Sequence, residues 1–307
     1  MSPRCSCTSV TTPRTSTRRR RTRSGTHDRT QRRHGRGLGR RHGPPLGAPR
    51  RGSRAAAPGD SRGAARPGRC AARRARARRG LRLWRALSRA AAEAAGPNGA
   101  VLGLDLSEPL LELARAQGGE GIEYLRADAQ VADLGEGRFD TVLSRFGVMF
   151  FDNPVAAFSN LARSLVPGGR MIFATWAEAD ANPWFGAPRR AAVARLGAVA
   201  PSDPDAPGPM AFRNPDRVLG ILNRSGLSGA QVETLETELH HPDGWDAMER
   251  MLPDLGPIPG VMREHGGTAE DLAAIMAALR GEWDRYIGPD GIRLPARVHL
   301  YSAEAAT

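Results

Sequence analysis

The sequence predicts an α/β fold, a mostly parallel sheet flanked by helices, and three observations carry that expectation. Between Phe139 and Trp176 come a short apolar run (Thr141-Val142-Leu143), a helical period, a Pro-Gly-Gly turn and a second apolar run (Met171 to Ala174). Strand, helix, turn, strand is a βαβ unit, and such units build parallel sheets. Upstream, Ala100–Asp105 is a buried-type strand that ends in an acid, and Ile122–Leu125 is another, with Asp128 just beyond its end. Ligands of open α/β sheets bind outside the carboxyl ends of the strands. Asp105, Asp128 and the Ser144-Arg145-Phe146 loop all fall there.

The chain is not uniform. Residues 1–85 hold 26 arginines against two acids, Asp28 and Asp60, a formal charge of +24. The rest has 19 arginines and 30 acids and carries −11, so the net +13 describes neither part. All three cysteines lie in the first part; all eight Phe and all three Tyr lie in the second. A segment so poor in large apolar residues cannot build a core. Cys5-Ser6-Cys7 has no partner pair at zinc-finger spacing, so no metal site is expected. No apolar run approaches the roughly 18–20 residues of a membrane span, and no secretory core opens the chain. These readings predict a cytoplasmic protein of two parts, an Arg-rich segment 1–85 and a folded domain 86–307.

From Ala86 the elements follow in order. Ala86–Ala95 is alanine-rich and helix-prone, and Gly96-Pro97-Asn98-Gly99 ends it. After the strand to Asp105, Ser107 caps a helix with Leu110, Leu111, Leu113 and Ala114 on its apolar side. Asn153 is a candidate N-cap and Pro154 fits the first helical position; Val155, Phe158, Leu161, Ala162 and Leu165 then make one apolar face. Ala177–Arg213 reads as a loop-rich insertion with a short helix over Pro188–Leu196. Asn214-Pro215 starts another capped helix. A strand over Ala230–Leu239, helices over Trp245–Met251 and Ala269–Tyr286, and an extended segment Ile292–Ser302 close the chain.

The ordered motifs Gly103-Leu104-Asp105-Leu106-Ser107, Asp128-Ala129, Ser144 and Pro167-Gly168-Gly169 resemble the class I S-adenosylmethionine-dependent methyltransferases, in particular the small-molecule branch with the ubiquinone/menaquinone C-methyltransferases. The likeness runs from about Ala100 to Trp176 and more loosely to the C-terminus. It implies a Rossmann-like, seven-stranded, mostly parallel sheet with the last strand antiparallel. It also implies S-adenosyl-L-methionine as cofactor, held by Gly103, Asp105, Leu106, Asp128, Ala129 and Ser144. In the family the strand-end acid accepts from the ribose, the Asp-Ala step meets adenine, and the serine lies near the methionine portion. Arg145, Phe146, Met149 and Trp184 fall on the acceptor side, with a cofactor half at 86–176 and an acceptor-side half at 177–307. The acceptor is expected to be a small organic molecule. Oligomeric state stays open, as does the general base, for which His240, His241, His265 and His299 are available.

The family places a strand and a glycine loop about twenty residues before Asp105, where this chain reads Arg-Gly-Leu-Arg-Leu-Trp-Arg. Leu81, Leu83 and Trp84 put side chains where that loop needs none. Shifted by one nucleotide, the codons of residues 76–84 permit Glu-Arg-Val-Val-Asp-x-Gly-Cys-Gly, which resembles the missing strand and loop. Residues 1–85 are therefore read as out-of-frame sequence, with a disordered tail or a nucleic-acid-binding arm as alternatives. With the loop missing, little or no donor binding is expected. An NAD-dependent oxidoreductase is the alternative enzyme, because a strand-end acid also serves NAD.

Overall fold

The computed structural model describes residues 9–13, 87–88, 90–96, 98–117, 122–201 and 203–307. They belong to one unit drawn from Met1–Thr15 and Arg73–Thr307. The expected Arg-Gly-Leu-Arg-Leu-Trp-Arg stretch lies outside the described residues.

The strands are β1 (Ser9–Pro13), β2 (Val101–Asp105), β3 (Ile122–Arg126), β4 (Phe139–Arg145), β5 (Leu165–Trp176), β6 (Leu227–His241), β7 (Ile287–Gly288) and β8 (Gly291–Ala305). The helices are α1 (Glu108–Gln117), α2 (Pro154–Ser164), α3 (Pro183–Leu196), α4 (Pro215–Arg224), α5 (Gly244–Met251), α6 (Ile258–His265) and α7 (Ala269–Trp283), and residues 90–95 are also helical. The sheet order is β3-β2-β1-β4-β5-β8-β6, with β7 paired to β8. β2 and β3 are parallel, as are β4 and β5, and β8 runs antiparallel to both β5 and β6. As predicted, β2 to β6 share one direction and β8 opposes them, although with β1 also reversed only two of the seven strand pairings are parallel.

The centre departs from expectation. The expected first strand would be parallel to its neighbours and come from the residues just before Ala86. The central position is instead held by β1, antiparallel to β2 and to β4. Its Ser-Val-Thr-Thr run is the β-branched stretch of an otherwise Arg-, Gly- and Pro-rich segment, and β-branched residues suit a pleated strand. Ser9–Pro13 thus adds a strand to the sheet, a pairing that the out-of-frame reading of residues 1–85 did not foresee. Because β1 is reversed, Ser9 lies at the carboxyl end of the parallel strands, level with Leu104 on one side and Ser144 on the other.

Alternation divides the sheet residues between two faces. On one face Leu102, Leu104, Phe139, Val142, Met171, Phe173 and Tyr301 pack against Phe158 and Leu161 of α2 and Val218, Ile221 and Leu222 of α4. On the other, Val101, Ile122, Tyr124 and Leu143 meet Leu87, Ala91, Ala92 and Ala95. Both asparagine caps are present: Asn153 Oδ1 accepts from the Ala156 N–H at 3.1 Å, and Asn214 Oδ1 from Asp216 and Arg217. The Pro167-Gly168-Gly169 turn falls within β5, and α2 already stops at Ser164.

β6 and β8 pair over their whole length, but β5 reaches only to Val298 of β8. The ribbon of Leu235–His241 with Ile292–Val298 therefore runs on past the carboxyl end of β5. On it sits a second core: Trp245 and Met248 of α5, Ile258 and Val261 of α6, and Ile275, Leu279 and Trp283 of α7, with Ile292 and Leu294 of the ribbon. The sequence reading missed α6. It also began α3 five residues late, at Pro188. Pro183 at the first turn starts that helix and Pro188 lies inside it.

Candidate functional site

β2, β3, β4 and β5 end side by side, at Asp105, Arg126, Arg145 and Trp176. Asp105 is 1% exposed. Its Oδ1 accepts the Ser107 N–H at 2.8 Å, which fixes the turn leading into α1. Gly103, two residues earlier on the same face, is buried, whereas Leu106 is 48% exposed beside the acid. The Leu106 carbonyl accepts from Arg126 Nε at 3.3 Å.

Asp128 folds over its own turn, accepting from the Gln130 N–H at 2.9 Å and Gln130 Nε2 at 3.2 Å. Gln130 Oε1 in turn accepts the Asn153 N–H at 2.6 Å, which ties this loop to the start of α2. Ala129 is buried, and its carbonyl accepts from Asn160 Nδ2, which also donates to the Ala132 carbonyl. Asn160 is a site-positioning residue that sequence reasoning missed. The signal was a lone amide on the apolar face of α2, at a position where an aliphatic residue would be expected.

At the end of β4 two buried polar atoms have no hydrogen-bond partner among the described residues, Ser144 Oγ and Arg145 Nη2. Burial lowers the Arg145 guanidinium from its usual value. Buried polar groups are ordinarily satisfied, so two adjacent orphans at a strand end point to a polar ligand. Phe146 follows with φ of 58°, the one non-glycine residue with positive φ among those described. A left-handed residue costs about 1–2 kcal/mol. Here the turn is held by the Phe146 N–H to the Ala174 carbonyl at 3.0 Å and by stacking on Trp176, with centroids 3.9 Å apart and planes at 4°.

The aromatic row continues from Trp176 to Trp184 at 4.6 Å and on to Phe185 at 5.5 Å. It links the sheet end to the helical core, against which Trp184 packs. Asn182 sets Trp184: its Oδ1 accepts from Trp184 Nε1 and from the Arg297 N–H, and its Nδ2 donates to the Glu178 and Arg297 carbonyls. The sequence marked Asn182-Pro183-Trp184 but not this buried cross-link to β8. Met149 is 1% exposed in the main core, behind this row. The structure thus gathers Gly103, Asp105, Ser144, Arg145 and Phe146 at one sheet end and sets Asp128 and Ala129 on the loop after β3.

Three of the four described histidines serve the framework. His299 is buried between Thr234 and the Arg213 carbonyl, His240 contacts Asp290, and His265 contacts the Ala198 carbonyl. No cluster of metal-ligating side chains occurs among the described residues, and no helix among them is long and apolar enough to cross a membrane.

Residues 85–173 match the family model described as a methyltransferase domain. The demethylmenaquinone methyltransferase of Lactococcus lactis is 34% identical over 84 residues, 26% of this chain and 33% of that protein. The malonyl-[acyl-carrier protein] O-methyltransferase of Methylococcus capsulatus is 32% identical over 88 residues, 28% of this chain and 32% of that one. The chain thus spans about a third of the length of these curated relatives. Among solved structures, phosphoethanolamine N-methyltransferase 2 of Haemonchus contortus with S-adenosyl-L-methionine aligns at a TM-score of 0.37 and 16% identity, over 67% of this chain and 43% of that one. The YcgJ protein of Bacillus subtilis aligns at 0.40 and 13%, over 67% and 82%. The matched segment runs from the helix before β2 into β5 and contains Asp105, Asp128 and Ser144 in the order set out above, so this part of the chain is similar to a methyltransferase domain.

Proposed function

We propose that the protein transfers a methyl group from S-adenosyl-L-methionine to a small organic acceptor at the carboxyl end of β2, β4 and β5. The observation that carries this reading is the strand-end constellation: buried Asp105 on β2, and Ser144 and Arg145 on β4, each with one buried polar atom that has no partner among the described residues. Asp105 would hold the ribose hydroxyls, with Gly103 and Leu106 beside it. Asp128 and the Ala129 backbone would meet the adenine, and Ser144 the methionine portion. When bound, the donor supplies an already activated methyl carbon; the acceptor atom bonds to it as the sulfur–carbon bond breaks, and the acceptor's proton leaves to solvent or a base.

The chain's own contribution is positioning and exclusion of water. Phe146, Trp176 and Trp184 form an aromatic wall for an apolar or planar acceptor, with Met149 packed behind it. The malonyl-carrier and demethylmenaquinone enzymes among the relatives act, by their names, on quite different molecules. The expected cytoplasmic location belongs to this same reading.

Donor binding should be weak. β1 closes the sheet and keeps Asp105 and Ser144 in register, but it runs the wrong way to lead into a glycine loop above them. S-adenosylhomocysteine titrated into the full chain, followed by ligand-observed NMR, tests this. The expected result is measurable binding, weaker than micromolar, with none for NAD. Binding of NAD in preference would favour the oxidoreductase.

A further inference from the structure

We propose that Arg145 binds the α-carboxylate of the methyl donor, and so belongs to the donor side of the pocket rather than the acceptor side. This rests on the donor reading above. The argument begins with sheet alternation. Val101 of β2 and Leu143 of β4 both pack on the face covered by Ala91 and Ala92. Four residues beyond Val101 and two beyond Leu143, Asp105 and Arg145 fall on that same face. The intervening residues Leu104 and Ser144 are both level with Ser9, so Asp105 and Arg145 stand at one height on either side of β1. Two inter-strand steps separate their backbones by about 9–10 Å.

A donor whose ribose lies on Asp105 extends its amino-acid tail in one of two directions along the sheet end. Toward β3 it meets Arg126, whose Nε is already engaged by the Leu106 carbonyl. Toward β4 it crosses the end of β1 and reaches Arg145. There a buried guanidinium nitrogen has no partner among the described residues, and the neighbour across the parallel ladder is the small Ala174. Among the described residues no carboxylate is hydrogen-bonded or ion-paired to Arg145, in contrast to Arg213, Arg217, Arg293 and Arg297, each of which has an acid within salt-bridge distance. A fork of N–H donors held without a counter-charge at a ligand edge fits a carboxylate bidentately.

The two charges then sort the two ends of one ligand: the acid takes hydroxyls, the arginine takes the carboxylate. Phe146, in its left-handed turn directly after Arg145, sends the next side chain back over Trp176. Donor and acceptor sides are thereby divided at a single peptide bond.

The test compares S-adenosylhomocysteine with methylthioadenosine, which shares the adenosine and sulfur but has no amino-acid carboxylate. Both are titrated into the full chain and into Arg145→Met and Arg145→Lys, with thermal unfolding as the check that each variant folds. The wild type should prefer S-adenosylhomocysteine by about ten- to hundredfold, the range of a charge-assisted pair. Arg145→Met should bring the two ligands to equal affinity by weakening S-adenosylhomocysteine alone. Arg145→Lys should keep part of the preference. A folded Arg145→Met that retains the full preference, or a wild type that binds both ligands equally, overturns the assignment while leaving donor binding intact. Binding of neither ligand to the wild type overturns the donor reading and this inference with it.

Discussion

Val10→Pro probes the least expected feature of the fold, the reversed central strand. Val10 stands between Gly103 of β2 and Leu143 of β4, in the middle of both ladders. A residue flanked on both sides donates its N–H to one neighbour, and proline has none to give. Proline in the middle of a sheet also clashes with the ladder, and about 3 kcal/mol is a fair magnitude for such a placement. For a folded unit of this size, roughly 2–4 °C of Tm per kcal/mol makes that a drop of about 6–12 °C. The same change should weaken donor binding, because β1 is what joins Asp105 on β2 to Ser144 and Arg145 on β4. Differential scanning fluorimetry and an S-adenosylhomocysteine titration read the two effects. A variant with unchanged Tm would mean that Ser9–Pro13 does not hold the centre of the sheet, and the pocket geometry argued from its register would fall with it.

Other consequences are simpler. Asn182→Ala removes four hydrogen bonds, two of them to the Arg297 backbone of β8, and leaves the Arg297 N–H without its side-chain acceptor, so a loss of about 3 kcal/mol or more is expected in chemical denaturation. Asn160→Leu leaves the Ala129 and Ala132 carbonyls buried without their donor and should cost about 2–4 kcal/mol, with weaker adenosine binding as its second sign. Phe146→Gly relieves the left-handed strain and loses the Trp176 stack, opposing terms of about 1 kcal/mol each, so stability should barely move while tryptophan fluorescence changes. The Asp271 carboxyl is held below its usual range by the Thr268 N–H first, then by the Thr268 hydroxyl and Arg195. A depressed folded value stabilises above the unfolded one and is lost as pH falls through the folded one; Thr268→Ala should raise the Asp271 value in a carboxyl NMR titration.

Much of the sheet was legible because its strands are short apolar runs with sharp ends. The acid of Asp105 and the Asn-Pro caps at 153–154 and 214–215 each mark a boundary with one local physical cause. What escaped was set by contacts distant in sequence. The β-branched Ser-Val-Thr-Thr run favours a strand, but nothing local in it announces insertion between Gly103 and Leu143, some 90 to 130 residues on. The first turn of α3 depends on Asn182 being pinned by Arg297, 115 residues away. Helix α6 has the weak start of Pro257 and only eight residues, so its amphipathic period is too short to stand out. At the site, the types of Asp105 and Ser144 were readable from strand ends. That Asp105 and Arg145 share a face and a level needed the register of β1, and that Ser144 Oγ and Arg145 Nη2 lack partners needed the packed structure.

The most direct measurement of the central claim is donor binding by the full chain, with Asp105→Asn beside it. Asparagine keeps an acceptor for the Ser107 N–H but cannot accept from two ribose hydroxyls, so the fold should persist while affinity falls. Loss of one charge-assisted hydrogen bond, ~1.5–3 kcal/mol, is about a ten- to hundredfold decrease. The account predicts weak S-adenosylhomocysteine binding by the wild type that drops by this factor in folded Asp105→Asn. Equal affinity in the two proteins, or binding of NAD but not S-adenosylhomocysteine, would contradict it.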